Sequence, residues 1–285
     1  MSVALERLRA LARQAGKPQP ALRPAAQLPA PLDGGALRAL LRVRTRIAGV
    51  APSADRELPG SEPAPGLRLV EAHLPAEDMP AEVDTAFARR TERLATSDLL
   101  CFDTETTGLA GGVGTRAFMI GAADWHDGRL RVRQLMITRT GAEPAMLELF
   151  ASWLRPGTTL VSYNGRSYDA PLLKGRYRLA RMPCPIAPLD HLDLLHPTRR
   201  LYKGRWENCR LATIERRALG IVREHDLPGS EAPGAWLRYL RGGSAALLRE
   251  VVRHNHQDVV TLGHLLRHLA ERHACAAATD VEDAA

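Results

Sequence analysis

With 285 residues, 45% of them hydrophobic and 25% charged, the chain has a globular composition and the length for one ordinary domain plus a sizeable extension. No apolar stretch approaches the ~18 residues that a membrane helix needs. The four cysteines, Cys101, Cys184, Cys209 and Cys275, form no Cys-x-x-Cys pair, which argues against structural zinc and a disulfide framework and for a reducing cytoplasm.

The formal net charge of +7 is concentrated at the start of the chain, where residues 1–50 set nine basic side chains against Glu6 and Asp33. A basic arm on a neutral body suits a phosphate backbone, and equally a solubilising tail. Residues 1–16 carry a short amphipathic pattern through Leu5, Leu8, Ala12 and Ala15. Lys17–Pro31 is a Pro/Ala-rich linker, Leu37–Ile47 repeats a basic helical pattern, and Ala51–Pro65 is loop-like. Residues 1–65 are therefore expected to be a partly disordered extension, open to a protein partner. Gly66–Leu74 alternates as a small strand and Met79–Arg93 reads as a helix, making residues 66–96 a lead-in.

A regular pattern starts at Leu99. Leu99–Asp103 is a buried strand, Arg116–Trp125 a second, and Asp127–Gly128 a hairpin signal before a third at Leu130–Ile137. Glu143–Leu154 is helical, Thr159–Tyr163 a strand, Asp169–Arg181 helical and Leu189–Leu194 a fifth strand. Helices follow at Leu211–Leu219, Gly234–Arg241 and Ala245–Ala270, and the tail, residues 273–285, is expected to be flexible. The fold class is α/β: a mixed five-stranded sheet flanked by helices over residues 97–272.

Acidic residues cluster at the ends and inner faces of these elements. Asp103 and Glu105, two apart on a strand, project to one face. Adjacent carboxylates repel and are costly to desolvate without a cation between them, which points to a divalent metal; a solvated turn is the plain alternative. Asp169 follows a strand and an Asn-Gly turn, where an N-cap is an equally good account. Tyr168 before it is placed to stack on a base or to pack as a staple. Asp258 falls on the apolar stripe of the last helix, seven residues after Val251 and four before Leu262, with His254 one turn earlier on the same side. Asp193, near a strand end, reads as structural.

In this order the motifs resemble the DEDD (DnaQ-like) 3′–5′ exonuclease superfamily with its ribonuclease H-like fold. Asp103 and Glu105 match its first motif, Asn164, Tyr168 and Asp169 its second, and Asp258 its third. The strings DTETTGLAGGVGTRAFMIG, SYNGRSYDAPLL, HLDLLHPTRRLYKGRWENCRLATIERRALG and HNHQDVVTL are more closely similar to YprB-type ribonuclease H-like proteins. The resemblance implies hydrolysis of phosphodiester bonds in single-stranded DNA or RNA with two divalent cations, Mg2+ or Mn2+. Asp103, Glu105, Asp169 and Asp258 would hold them, and His254 would accept the proton of the attacking water. Thr106, Asn164 and Tyr168 would position the terminal nucleotide. The third motif departs from both well-known subclasses: three residues separate His254 from Asp258, the spacing of the tyrosine subclass with the chemistry of the histidine one.

Two further segments bear on substrate. Gly108–Thr115 is glycine-rich but lacks the Gly-Lys-Ser/Thr ending of a triphosphate loop, and reads as pliant backbone beside the acids. His196–Arg223 interleaves basic residues, Arg199 and Arg200 among them, with Tyr202 and Trp206. That composition suits a single-stranded path, and also a solvated face balanced by Glu207, Glu215 and Glu224. The reading from a different class is a nucleic-acid-binding module with a weak or vestigial site, acting in a repair or RNA-processing assembly.

Overall fold

A computed structural model of the chain describes residues 53–76, 79–108, 114–224 and 227–282. The helical readings at residues 1–16 and 37–47 and most of the glycine loop lie outside these. The apolar run ahead of the acidic pair becomes a central strand, β5 (Leu99–Thr106). Before it come β1 (Ser61–Ala64), β2 (Leu67–Pro75), β3 (Glu82–Asp84) and β4 (Arg93–Ala95). After it come β6 (Ala117–His126), β7 (Arg129–Ile137), β8 (Thr159–Ser162) and β9 (Asp190–Asp193).

Seven strands form one mixed sheet in the order β1-β2-β7-β6-β5-β8-β9, with β8 and β9 parallel to β5 and the rest antiparallel. The sheet is thus larger than the expected five strands. The alternating segment of the lead-in pairs along all of β7, from Leu67 opposite Ile137 to Pro75 opposite Arg129. Ser61–Ala64, expected as loop, adds an outer strand to it. Pro63 is tolerated there because an edge strand need not donate on both sides. Asp127 and Gly128 both take positive φ, 49° and 70°, as a two-residue hairpin between β6 and β7 requires.

Among the described residues the helices are α1 (Glu143–Ala151), α2 (Asp169–Leu179), α3 (Leu195–Tyr202), α4 (Leu211–Ile214), α5 (Ala232–Leu240) and α6 (Ala246–Glu282). They cover both faces of the sheet. Side chains on β5 alternate: Leu100 and Phe102 enter a core with Phe118, Met146, Phe150, Tyr177 and Trp236, while Leu99 and Cys101 enter a second with Val161, Leu192, Val259, Leu262 and Leu266. Among the described residues no helix is long and apolar enough to cross a membrane.

Three expectations are corrected. The segment expected to be helical from Met79 to Arg93 is a β3–β4 antiparallel pair around a 3-10 turn, Ala86–Ala88. Its apolar residues Val83 and Phe87 reach the second core from strand and turn, where a continuous helix would leave Thr85 without its buried bond to the Glu92 carbonyl. The tail is helical through Glu282, since Ala-rich sequence extends α6 at little entropic cost. The helix read at Leu211–Leu219 changes to a π-helical turn over Glu215–Leu219, which carries Glu215 into the interior.

Candidate active site

The site is built at the end of β5, between α2 and α6. Asp103 lies opposite Gly121 of β6. Asn255 of α6 is fully buried over that glycine and donates from Nδ2 to Asp103 Oδ2 at 3.0 Å. Gln134 of β7 fixes the amide in turn, donating from Nε2 to Asn255 Oδ1 at 3.0 Å and to the Val252 carbonyl at 2.8 Å. A donor aimed at an ionised carboxylate favours its charged form, yet Asp103 is held well above the usual carboxylate range. Burial is the main cause, followed by the charges of Asp258, Asp169 and Glu105. Asp103 thus feels the charge of the three other acids.

Asp169 arrives from the opposite side of β5. It occupies the first position of α2, with Tyr168 at the cap position. The intervening residue of the Asp-x-Glu pair, Thr104, points to that side and donates its hydroxyl to Asp169 Oδ1. Burial raises the Asp169 pKa, and the Thr104 bond opposes the rise. The turn that delivers Asp169 is held by Asp193, which accepts backbone N–H groups from Asn164 at 2.7 Å, Leu195 at 3.0 Å and Arg166 at 3.1 Å. Asn164 has φ 69°, a left-handed conformation that asparagine tolerates better than most residues. A Cβ on Gly165 would stand 2.5 Å from Ser162 Oγ, so the turn needs glycine there.

Asp258 and His254 are presented by α6. Ligand atoms of Glu105, His254 and Asp258 all lie within 4.8 Å of one another. Glu105 is buried, and His254 Nε2 stands 3.4 Å from Asp258 Oδ2. A side chain that the sequence reading placed only at the end of a basic stretch completes this corner. Arg223 grips the buried Glu215 through Nε and Nη2, at 2.6 and 2.7 Å, and also donates from Nη2 to Asp258 Oδ1. Its Nη1 lies 3.2 Å from His254 Nδ1. Burial works against the guanidinium's charge, but Glu215 and Asp258 hold its pKa above the ordinary value. Glu215 also accepts the hydroxyl of the buried Thr261. Burial raises the Asp258 pKa too, opposed by His254 and Arg223.

A guanidinium only donates, so in this contact Nδ1 of His254 accepts from Arg223, while Nε2 faces Asp258.

The other expected site residues are spread around this cluster. Tyr168 is 63% exposed beside Asp169, free to meet a ligand. Thr106 closes β5, its hydroxyl donating to the Gly108 carbonyl at 3.0 Å. Arg199 and Arg200 are exposed on α3, and Arg200 donates to the Phe87 carbonyl at 2.8 Å. Tyr202 and Trp206, read as possible stacking platforms, stack on each other with centroids 4.4 Å apart, and the Tyr202 hydroxyl meets His268 Nε2 at 2.5 Å. Sequence reasoning missed Thr104, Asn255 and Gln134, and read Glu215 and Arg223 only as members of a basic stretch and its balancing acids. Thr104, Asn255 and Glu215 lie inside the strings that carry the resemblance, and for those the motif itself was the available signal.

Residues 100–270, more than half of the chain, match the model of the RNase_H superfamily. The uncharacterized protein YprB of Bacillus subtilis (strain 168) is 38% identical over 177 residues, which are 62% of this chain and 43% of that protein. The chain thus spans about two fifths of the curated relative it matches. The family B DNA polymerase of the hyperthermophilic archaeon Pyrobaculum calidifontis is similar with a TM-score of 0.47 and 16% identity, over 61% of this chain and 24% of the polymerase.

Proposed function

The chain belongs to the RNase_H superfamily, and we propose that it is a metal-dependent 3′–5′ exonuclease on single-stranded DNA or RNA. The observation that carries this reading is the grouping of Glu105, His254 and Asp258, whose ligand atoms lie within 4.8 Å of one another, beside an Asp103 that feels the charges of Asp258, Asp169 and Glu105. The donor set fits a hard divalent cation. The ligand atoms are carboxylate oxygens with one imidazole, and the charges of Asp258, Asp169 and Glu105 add to burial in raising the Asp103 pKa. The buried Arg223–Glu215 pair is neutral as a unit, so four carboxylates remain to be balanced, and two divalent ions supply that charge.

In this reading Asp103, Glu105, Asp169 and Asp258 hold Mg2+ or Mn2+, which supplies Lewis-acid activation of water and stabilisation of the leaving oxygen. Asn255 keeps Asp103 aimed inward, and Thr104 does the same for Asp169. Tyr168 offers an exposed ring to the terminal base, with Asn164 and Thr106 lining the approach. His254 would accept the water's proton, with Arg223 Nη1, 3.2 Å from Nδ1, holding the ring in place.

One observation favours a second reading, a nucleic-acid-binding module with a vestigial site: Arg223 already engages Asp258. Single-stranded DNA and RNA labelled at either end, incubated with Mn2+ or with EDTA, separate the two. Metal-dependent release of mononucleotides from the 3′ end, lost in Asp103→Asn, supports the exonuclease. Binding without cleavage under every metal supports the module.

A further inference from the structure

A second basic feature lies away from the acids. A cavity of about 280 Å³ is lined by Phe87, Leu201 and Leu269 and rimmed by Arg89, Arg200 and Arg272; none of its lining residues is acidic. Arg89 sits on the turn after Phe87, Arg200 on α3 and Arg272 on α6, so three separate elements bring guanidinium groups to one apolar floor. Among the described residues no ion pair engages Arg89, Arg200 or Arg272. Burial and the charge of Arg89 both lower the Arg200 pKa, so these two cations face each other uncompensated. Arg89 holds φ 62°, a conformation unfavourable for arginine, so turn geometry alone would select a different residue there.

We propose that this cavity binds one nucleotide of a single-stranded nucleic acid, its phosphates on the three arginines and its base or sugar on the apolar floor. The proposal rests on the nuclease reading of the acidic site and says where the strand runs beyond it. Two elements connect the places. α3 starts at Leu195, whose N–H shares Asp193 with the Asn164 turn, and Arg200 lies five residues on, roughly 7 Å along the axis. Asp258 and Arg272 are on the same helix, fourteen residues apart and so about 21 Å along it. Arg199, next to Arg200 on α3, is exposed. A polyanion with apolar faces suits this rim and floor better than an acidic peptide, whose carboxylates lack a ring to lay on Phe87 and Leu269.

The test uses the double variant Arg89→Asn/Arg272→Ala, in which asparagine suits the left-handed turn and neither residue touches the acids. Binding is measured in EDTA, so that hydrolysis plays no part, on fluorescent strands of 4 and 20 nucleotides. The variant should bind the 20-mer about 10-fold more weakly, with its salt slope reduced by about 1.4, the value for two lost phosphate contacts. Affinity for the 4-mer, which can fill the pocket on its own, should fall as well. Equal affinity of variant and parent for the 20-mer overturns the pocket, as does failure of the parent to bind it. Displacement of the strand by an equally charged polyglutamate at equal concentration assigns the surface to acidic polypeptide and also overturns the proposal. A parent that binds as described but never hydrolyses would instead remove the nuclease reading and leave the pocket standing.

Discussion

The amide of Asn255 fills the space above Gly121: a Cβ on that glycine would stand 2.0 Å from Asn255 Oδ1. Because Asn255 also donates to Asp103, the absence of one methyl group on β6 sets the direction of an acid on β5. Gly121→Ala should force Asn255 off its bonds to Asp103 and Gln134 or push α6 away. Overpacking of this kind costs about 1–3 kcal/mol. Urea unfolding should read that loss, and Mn2+ affinity should fall with it. A variant of parental stability and metal affinity would mean that Asn255 relaxes freely and does not orient the acid.

Asp103→Asn should abolish metal-dependent hydrolysis and, in EDTA, make the protein more stable. The folded-state pKa of Asp103 is raised by burial and by three neighbouring acids. Protonation therefore favours the fold. That contribution is fully present below the unfolded value of about 3.8 and is lost as pH rises through the raised pKa. Asparagine imitates the protonated form and keeps an acceptor for Asn255. In EDTA at neutral pH its melting temperature should exceed the parent's by at least ~2 °C, and the gap should close as pH falls toward 3.8. A variant that melts lower than the parent in EDTA would deny that the acids strain the metal-free site.

The acids were legible in sequence because period and position expose them. An apolar run ending in Asp-x-Glu puts two carboxylates on one side of a strand end, and an acid on the stripe of α6 must face inward. The residues that hold them were not legible. Thr104 looks like strand filler, yet the same alternation that aligns Asp103 with Glu105 turns its hydroxyl to Asp169. Arg223 is one arginine among many in an exposed-looking segment. Only the fold, with its π-helical turn at Glu215, places it beside Asp258. The sheet was read too small for a related reason: β1 is four residues long and gains its partner from β2 rather than from a pattern of its own.

Arg223→Met should be among the more damaging single changes outside the hydrophobic core. Side-chain exposure is 11% for Arg223 and 1% for Glu215, so removing the guanidinium strands two buried carboxylates. Breaking one side of a buried pair costs about 3–5 kcal/mol. Adding Glu215→Gln should restore a large part of the loss, because a neutral amide can still accept the Thr261 hydroxyl. A double-mutant cycle by urea unfolding should therefore give a coupling above about 2 kcal/mol. Additive effects would show that Glu215 does not depend on Arg223.

His191 gives a pH dependence of the opposite kind, separable from the acids. Its ring packs against Phe102, with centroids 5.5 Å apart, and Nε2 meets Ser162 Oγ at 2.8 Å. Burial lowers its pKa from 6.5 to about 4. Above 6.5 both folded and unfolded chains hold it neutral and its contribution is fully present. As pH falls toward 4 the unfolded chain gains a proton that the folded one refuses, and stability drops. Full burial would make that about 3 kcal/mol. The ring is partly exposed, so solvent screening reduces it to about 2 kcal/mol. His191→Gln keeps a partner for Ser162 and removes the titration. Urea unfolding of parent and variant at pH 7.5 and 4.5 gives a double difference from which the raised acids, common to both, cancel. The parent should lose the more stability on acidification, and an equal loss in the two proteins would show that the ring protonates as readily folded as unfolded.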